Sequence, residues 1–389
     1  MFGRSDEVTG SGGEGMSALR RALVCGMFLA TAALALPVAP AAQAHADPAP
    51  STTKLAALLD RLQDLYLQAE EATETYDEAK AQLKEQRGTA SRLDSQLADE
   101  RIALAEAKDQ AGALARQQYQ DGGVSPYMNL MLADTPQDLF SQSHFLQRAA
   151  GTQAELVERL TTGALRISTL NRAAQHALDS SQKLADQQRE AKQKVEDKLA
   201  NVEKIVAGLT GTELSALQKL EEQGINAAQQ AFLGTNQLSS TDLTPSTGGA
   251  AAVRFAYDQL GKPYVWGAEG PGSYDCSGLT SKAWAAAGVT IPRTAEQQWK
   301  QLTHIPLSQL RPGDLVVYFK GASHIAVYIG GGQVIQAPRP GAYVKISPIA
   351  ANQPILGAVR PDPDAEPMTG YVSPTAPASA SGPTPIGSA

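Results

Sequence analysis

Two cysteines occur in this 389-residue chain, Cys25 and Cys276, and only the second is placed to react. It stands in Asp275-Cys276-Ser277-Gly278, ahead of a helical run from Leu279 to Ala287 that Gly288 stops. Unpaired N–H groups and the positive dipole end at a helix start favour a thiolate there. A small buried cysteine closing a helix end is the plainer reading of the same residues. Histidine separates the two. His324 opens the alternating run Ile325-Ala326-Val327-Tyr328-Ile329, a strand that would hold an imidazole at fixed reach from a helix-borne thiol. His304, in Leu302-Thr303-His304-Ile305-Pro306, reads as a surface loop residue.

The third requirement is a group that orients the ring. If Gly330-Gly331-Gly332 form a hairpin loop, Ile329 pairs with Gln333 and His324 lies opposite Pro338. Gln336 then falls on the same face, diagonal to His324. Its carboxamide oxygen can accept from one ring nitrogen and leave the other toward Cys276, although an amide lends an imidazolium no negative charge. The alternative is a glutamine that satisfies a strand end, and one extra loop residue would turn it away.

The order of motifs resembles a known family. Pro263-Tyr264-Val265-Trp266-Gly267, Asp275-Cys276-Ser277-Gly278-Leu279, Ile291-Pro292-Arg293-Thr294, Arg311-Pro312-Gly313-Asp314-Leu315 and His324-Ile325-Ala326-Val327-Tyr328-Ile329-Gly330 are similar to the NlpC-type cell-wall cysteine peptidases. The resemblance covers about residues 250–360. It implies an α+β papain-like catalytic domain, with a nucleophile helix packed on an antiparallel sheet that carries the histidine. It also implies hydrolysis of peptidoglycan stem peptides, typically between D-γ-glutamate and the diamino acid. By position, Cys276 becomes the nucleophile, His324 the general base and Gln336 the third polar group, a place where relatives often carry His or Glu. Tyr264 falls beside the cysteine, its hydroxyl joining the Cys276 N–H as an oxyanion donor. Asp275, Ser277 and Arg293 become candidates for holding the stem peptide, Arg293 by pairing with a substrate carboxylate. Aromatic core for Tyr264 and Trp266, and a surface charge for Arg293, are the plainer alternatives. Arg311 to Leu315 reads as the turn into a strand.

No metal and no cofactor are expected, because one mature cysteine and scattered histidines cannot complete a tetrahedral site. A net charge of −7 argues against a nucleic-acid partner, which would need a basic stripe. Aromatic residues make up only 5% of the chain, so part of it must lie outside compact cores.

Positioning the site falls to residues 250–360, enough for one core. Upstream, residues 51–222 read as a long antiparallel α-helical coiled-coil hairpin. One seam runs Leu62, Ala69, Tyr76, Leu83, Ala90, Leu97, Leu104, Ala111, and its companion runs Leu65, Ala72, Ala79, Gln86, Leu93, Glu100, Ala107, Leu114. A second proline-free stretch carries Leu160, Ile167, Ala174, Val195 and Val202, with Leu170, Ala177, Leu184, Ala191 and Ile205 offset by three. Gly122-Gly123, Pro126 and Pro136 break the two apart. The turn carries Tyr127, Met128, Leu130, Met131 and Leu132, then Leu139, Phe140, Phe145 and Leu146, which suit a docking patch or a small closing core. Alanine-rich seams bury little area, so the hairpin should be mobile or stabilised by a partner. It resembles the coiled-coil regions of exported wall hydrolases controlled by a transporter-like division complex of the FtsEX type, which implies a hairpin that masks or positions the catalytic cleft.

Residues 223–249 read as a polar linker, with a short helix near Ala227 to Leu233, and residues 361–389 as a disordered Pro/Ser/Ala-rich tail. Residues 1–46 read as a signal peptide: Arg20-Arg21, an apolar run from Ala22 to Leu36, then Ala44-His45-Ala46 before cleavage. An uncleaved anchor is disfavoured because Pro37 and Pro40 shorten the run below the roughly 20 residues a span needs. Translation starts at Met1 or Met16, since residues 1–15 lack this pattern. The expected protein is therefore secreted to the cell envelope, with peptidoglycan stem peptides as its substrate. Two other classes fit the chain: a non-catalytic wall-binding or scaffold protein, and amidase or acyltransferase chemistry on the same fold.

Overall fold

The computed structural model describes residues 52–120, 136–239, 243–352, 354–377 and 380. The signal segment and the tip residues Tyr127 to Leu132 lie outside the described residues.

The heptad seams make two long helices, α1 (Thr52–Gln120) and α2 (Pro136–Ala207). At 1.5 Å per residue α1 is about 100 Å long. Gln68 meets Lys198 at 2.5 Å and Arg101 meets Asn171 at 3.2 Å, so one index rises as the other falls and the helices run antiparallel. Along α1 the seam positions Leu62, Ala69, Leu83, Leu97 and Ala107 are buried, and so are Ala177, Ala191, Val195 and Val202 on α2. Phe140, near the far end, is exposed.

The second helix does not run on as its proline-free sequence suggests. It stops at Ala207, and Thr210 starts α3 (Gly211–Gly234) by accepting from Glu213 N while Glu213 caps the Thr210 N–H. This reciprocal capping satisfies donors that a continuous helix would not leave open. Leu59, Leu62 and Tyr66 of α1, Val202 of α2 and Leu217 of α3 close a small core at this end. The expected linker is therefore corrected. Helix α3 continues to Gly234, because Phe232 has a hydrophobic partner in the face formed by Val316, Tyr318, Ala326, Tyr328 and Val334.

The catalytic-type domain contains α4 (Thr247–Asp258), α5 (Cys276–Ala286), α6 (Ala295–Gln301) and six strands: β1 (Thr303–Ile305), β2 (Leu315–Tyr318), β3 (His324–Gly330), β4 (Gln333–Gln336), β5 (Lys345–Pro348) and β6 (Ile355–Arg360). They form one sheet in the order β1-β6-β2-β3-β4-β5, every pair antiparallel. Alternation divides its two faces. Leu315, Val317, Ile325, Val327 and Ile335 pack with Leu279, Ala283 and Trp284 of α5, while the opposite face receives Phe232. This is the expected papain-like α+β arrangement behind a helical hairpin. His304 lies on the edge strand β1 rather than in a loop, with its ring stacked on Trp299 at 3.9 Å.

Two contacts fix α5. Trp284 Nε1 donates to the Gly313 carbonyl at 3.0 Å, and Gly313, at φ +103°, leaves no room for a Cβ against the Gly249 backbone. The tail also departs from expectation, since residues 361–368 run along the domain. Met368 N donates to Pro245 O and Thr244 Oγ1 to Met368 O, both at 2.8 Å, and Arg311 holds Asp362 at 2.9 Å. Composition reads as disorder there because these bonds use the backbone and a distant arginine rather than apolar periodicity.

Candidate active site

Cys276 is the first residue of α5, and Asp275 caps that helix by accepting from Gly278 N at 2.6 Å. A side chain at Gly278 would run into the Ala268 carbonyl, so only glycine lets the preceding loop pass this close. His324 opens β3, and its Nε2 lies 2.7 Å from Gln336 Oε1 on β4. A carboxamide oxygen only accepts, so Nε2 carries the proton and Nδ1 is the basic nitrogen. The body of the strand pair has the register expected from three loop glycines, with Val327 opposite Ile335 and Tyr328 opposite Val334. An irregularity then pairs Gly330 with Gln333. Asn352 Nδ2 also donates to Gln336 Oε1, at 2.5 Å, and fixes the amide orientation. Sequence reasoning misses Asn352, which sits after a short 3₁₀ turn with no motif around it.

The thiol and imidazole face a third element, which is α1. Glu74 Oε1 lies 4.0 Å from Cys276 Sγ, and Glu70 Oε1 lies 3.5 Å from His324 Nδ1. Glu70 and Glu74 are one helical turn apart and so share a face of α1, which places sulfur and imidazole on one surface. Cys276 is 2% exposed and His324 1%. The same stripe continues to Asp77, whose Oδ2 meets Arg293 Nη2 at 3.1 Å, and to Tyr76, which packs edge-on against Trp266 at 4.8 Å. Lys80 Nζ reaches the Gly267 carbonyl at 3.3 Å.

Arg293 ties this end together. It donates to Asp275 Oδ2 at 2.6 Å, to Ser277 Oγ at 2.9 Å and to Asp77, and its Nε meets Glu269 at 3.2 Å. Ser277 in turn donates to Glu74 Oε1 at 3.0 Å, and Glu74 Oε2 accepts from the Ala295 N–H at 2.5 Å. Asp275 and Ser277 are thus buried and engaged as a helix cap and an arginine anchor, not open to the cleft. Tyr264 is buried with no hydrogen-bond partner for its hydroxyl among the described residues.

Electrostatics of the docked helix oppose ionisation. Burial, then the Glu74, Asp275 and Glu70 carboxyls, push the Cys276 thiol well above its ordinary range. The thiolate expected from the helix start is corrected for this state, since desolvation beside acidic neighbours outweighs one helix dipole. Burial lowers His324 to about 4, against a smaller opposing effect of the Gln336 bond. Burial and Glu74 raise Glu70 well above the carboxylate range. Glu70 and His324 therefore face each other as neutral groups, and their 3.5 Å contact is not an ion pair. Burial, with Asp275 and Asp77 next, raises Glu74 to about 8.

A helix-borne thiol, a strand-borne imidazole and an amide that fixes its tautomer define the papain-like class, with cysteine as the candidate nucleophile. Residues 261–355 match the NlpC/P60 family, and this part of the chain belongs to it. A "Probable endopeptidase" of Corynebacterium glutamicum is 38% identical over 121 residues, which are 31% of this chain and 57% of that protein. "Probable endopeptidase p60" of Listeria grayi is 40% identical over 121 residues, 31% of this chain and 24% of its own length. The chain thus spans about half or less of the curated relatives it matches. The crystal structure of the NlpC/p60 domain of peptidoglycan hydrolase SagA is 37% identical, covering 29% of this chain and 97% of that one, with a TM-score of 0.27.

Proposed function

We propose that this chain is an exported peptidoglycan endopeptidase of the cell envelope, held inactive while α1 covers its cleft. Its bond is the D-γ-glutamyl to diamino-acid link of the stem peptide, the one that the family resemblance implies. The observation that carries the reading is the shared face of α1. Adjacent turns touch the thiol and the imidazole, so both open onto one surface, and the hairpin occupies it.

In the open cleft, Nδ1 of His324 takes the Cys276 proton, and the thiolate attacks the peptide carbonyl carbon. The carbonyl oxygen gains the electron pair and is met by the Cys276 N–H and the Tyr264 hydroxyl. Collapse re-forms the carbonyl and breaks the C–N bond, while the imidazolium protonates the leaving amine. Water then attacks the thioester, giving its proton to His324, and the acid departs as the thiol is restored. Gln336 and Asn352 hold the ring in the tautomer this sequence needs. Release of α1 falls to a partner acting through the hairpin, for which the sequence resemblance suggests a membrane complex of the FtsEX type.

The test is digestion of purified sacculi by the full chain and by a Glu74→Arg chain, followed by mass spectrometry of the soluble fragments. The expected products carry a new free amine on the diamino acid, are more abundant with Glu74→Arg, and vanish when Cys276→Ala is added. Cleavage at the sugar–peptide amide would replace this reading with an amidase, and no cleavage by either protein would favour a scaffold.

A further inference from the structure

Helix α1 measures out the cleft. Four residues on one stripe touch four groups of the domain in order: Tyr66 packs on Arg339, Glu70 faces His324, Glu74 faces Cys276 and Asp77 holds Arg293. Each step is three or four residues, about 4.5–6 Å along the helix. The thiol and imidazole therefore lie between two arginines, and Arg339 is on the imidazole side, about 12 Å from the thiol along the axis.

Arg339 follows β4 three residues after Gln336, and its side chain is only 12% exposed. Nη1 and Nη2 grip both oxygens of Glu221 of α3 at 2.5 and 3.0 Å. The Tyr66 ring lies 4.7 Å from the guanidinium carbon, and Nε has no partner among the described residues. The carboxyls of Glu221 and Glu70, which act on this guanidinium, both come from the helical arm. Lys345, the register partner of Gln336, adds a second cation beside it. A cavity of about 670 Å³ is lined by Arg339, Pro338, Asn352 and Glu70, and Glu70 is the residue that faces the His324 imidazole.

A guanidinium fork matches a carboxylate bidentately, and a largely buried cation stripped of its partner carries a desolvation cost that an incoming anion relieves. We propose that Arg339 is a substrate-binding residue that reads a free carboxylate on the leaving segment of the peptide, and that Glu221 fills its place in the resting chain. This rests on the endopeptidase reading, since the imidazole that protonates the leaving amine defines the leaving side. At about 3.4 Å per extended residue, the carboxylate lies within about three residues of the bond cut. A C-terminal carboxylate and a side-chain carboxylate of the diamino acid share this chemistry.

The test uses the full chain with Glu74→Arg, alone and combined with Arg339→Gln, Arg339→Lys or Glu221→Gln. The probes are L-alanyl-γ-D-glutamyl-meso-diaminopimelyl-D-alanine as the free acid, as its C-terminal amide, and with the diaminopimelate side carboxylate amidated. Arg339→Gln should raise KM at least tenfold for the free acid with kcat nearly unchanged, and should leave one of the two amides unaffected. That amide identifies which carboxylate is read. Arg339→Lys should recover part of the loss, and Glu221→Gln should lower KM for the free acid by removing the internal competitor. Equal effects of Arg339→Gln on all three peptides, or none on any, overturn the proposal and leave Arg339 as an anchor for the arm. Calorimetric binding of the same peptides to Cys276→Ala versions separates the two readings. A preference for acid over amide that Arg339→Gln abolishes supports the carboxylate site even if no bond is cut, whereas cleavage without that preference sinks the site alone.

Discussion

Glu74 Oε1 stands 4.0 Å from Cys276 Sγ, across 202 residues of sequence. Its carboxyl fills the space a scissile carbonyl would need, and its other oxygen accepts from the start of α6 at Ala295. Occlusion and electrostatics thus come from the same group. The thiol is covered, and that burial, with Glu74 next to it, holds its pKa up.

Charge reversal at Glu74 should undo both effects. Glu74→Arg sets a second cation near Arg293 and withdraws the acceptor used by Ser277 and Ala295. Labelling of Cys276 by iodoacetamide should be slow in the native chain and at least tenfold faster in the variant, read as adduct mass against time. Equal rates would mean that α1 does not guard the sulfur.

Docking should weaken as pH rises. Burial, with Asp275 and Asp77, raises Glu74 to about 8, whereas a released, exposed glutamate titrates near about 4.3. The docked state therefore holds a proton that the released state gives up. This contribution to docking is complete below about pH 4 and is lost as pH climbs toward 8, on the order of 1 kcal/mol per unit. Hydrogen exchange across residues 66–80 should quicken over that range, and Glu74→Gln should flatten the slope. An identical slope in Glu74→Gln would assign the effect elsewhere.

A carboxylate in place of the neutral amide at Gln336 should strengthen the imidazolium. The 2.7 Å contact to Nε2 would become charge-assisted, raising the His324 pKa from the level that burial sets. In a Glu74→Arg background, Gln336→Glu should move the acidic limb of the kcat/KM profile upward by about one unit, while Gln336→Ala lowers kcat about tenfold or more. An unmoved limb would show that the titrating group is not His324.

The chemistry-bearing residues were legible because each sits in a local pattern. Cys276 precedes a helical run, His324 starts an alternating strand, and Gln336 is placed by a glycine loop of countable length. What covers them was not. Glu70, Thr73, Glu74 and Asp77 are buried, yet on α1 they fall outside the heptad seams. Glu70 is met by His324, Glu74 by Ser277 and the Ala295 N–H, and Asp77 by Arg293, partners more than two hundred positions away that no helical periodicity encodes. Asp275 and Ser277 show the converse. Adjacency to Cys276 suggests substrate contact, whereas their atoms are used to cap α5 and seat Arg293.

Tyr264 offers the last test, because its chemistry and its packing separate cleanly. The ring is buried in the core with Tyr274 and Leu279, and the hydroxyl has no partner among the described residues. Burial, then the proximity of Cys276 and Asp275, holds the phenol well above its ordinary range, so it remains a donor throughout the working pH range. Tyr264→Phe removes one oxygen and keeps the ring, so stability should change by less than about 1 kcal/mol, because no hydrogen bond is lost. An oxyanion donor acts on charge that exists only at the transition state. In the Glu74→Arg background kcat should therefore fall roughly 10- to 1000-fold with KM nearly constant. A proportionate rise in KM, or a drop in thermal midpoint large enough to account for the lost rate, would return Tyr264 to the core.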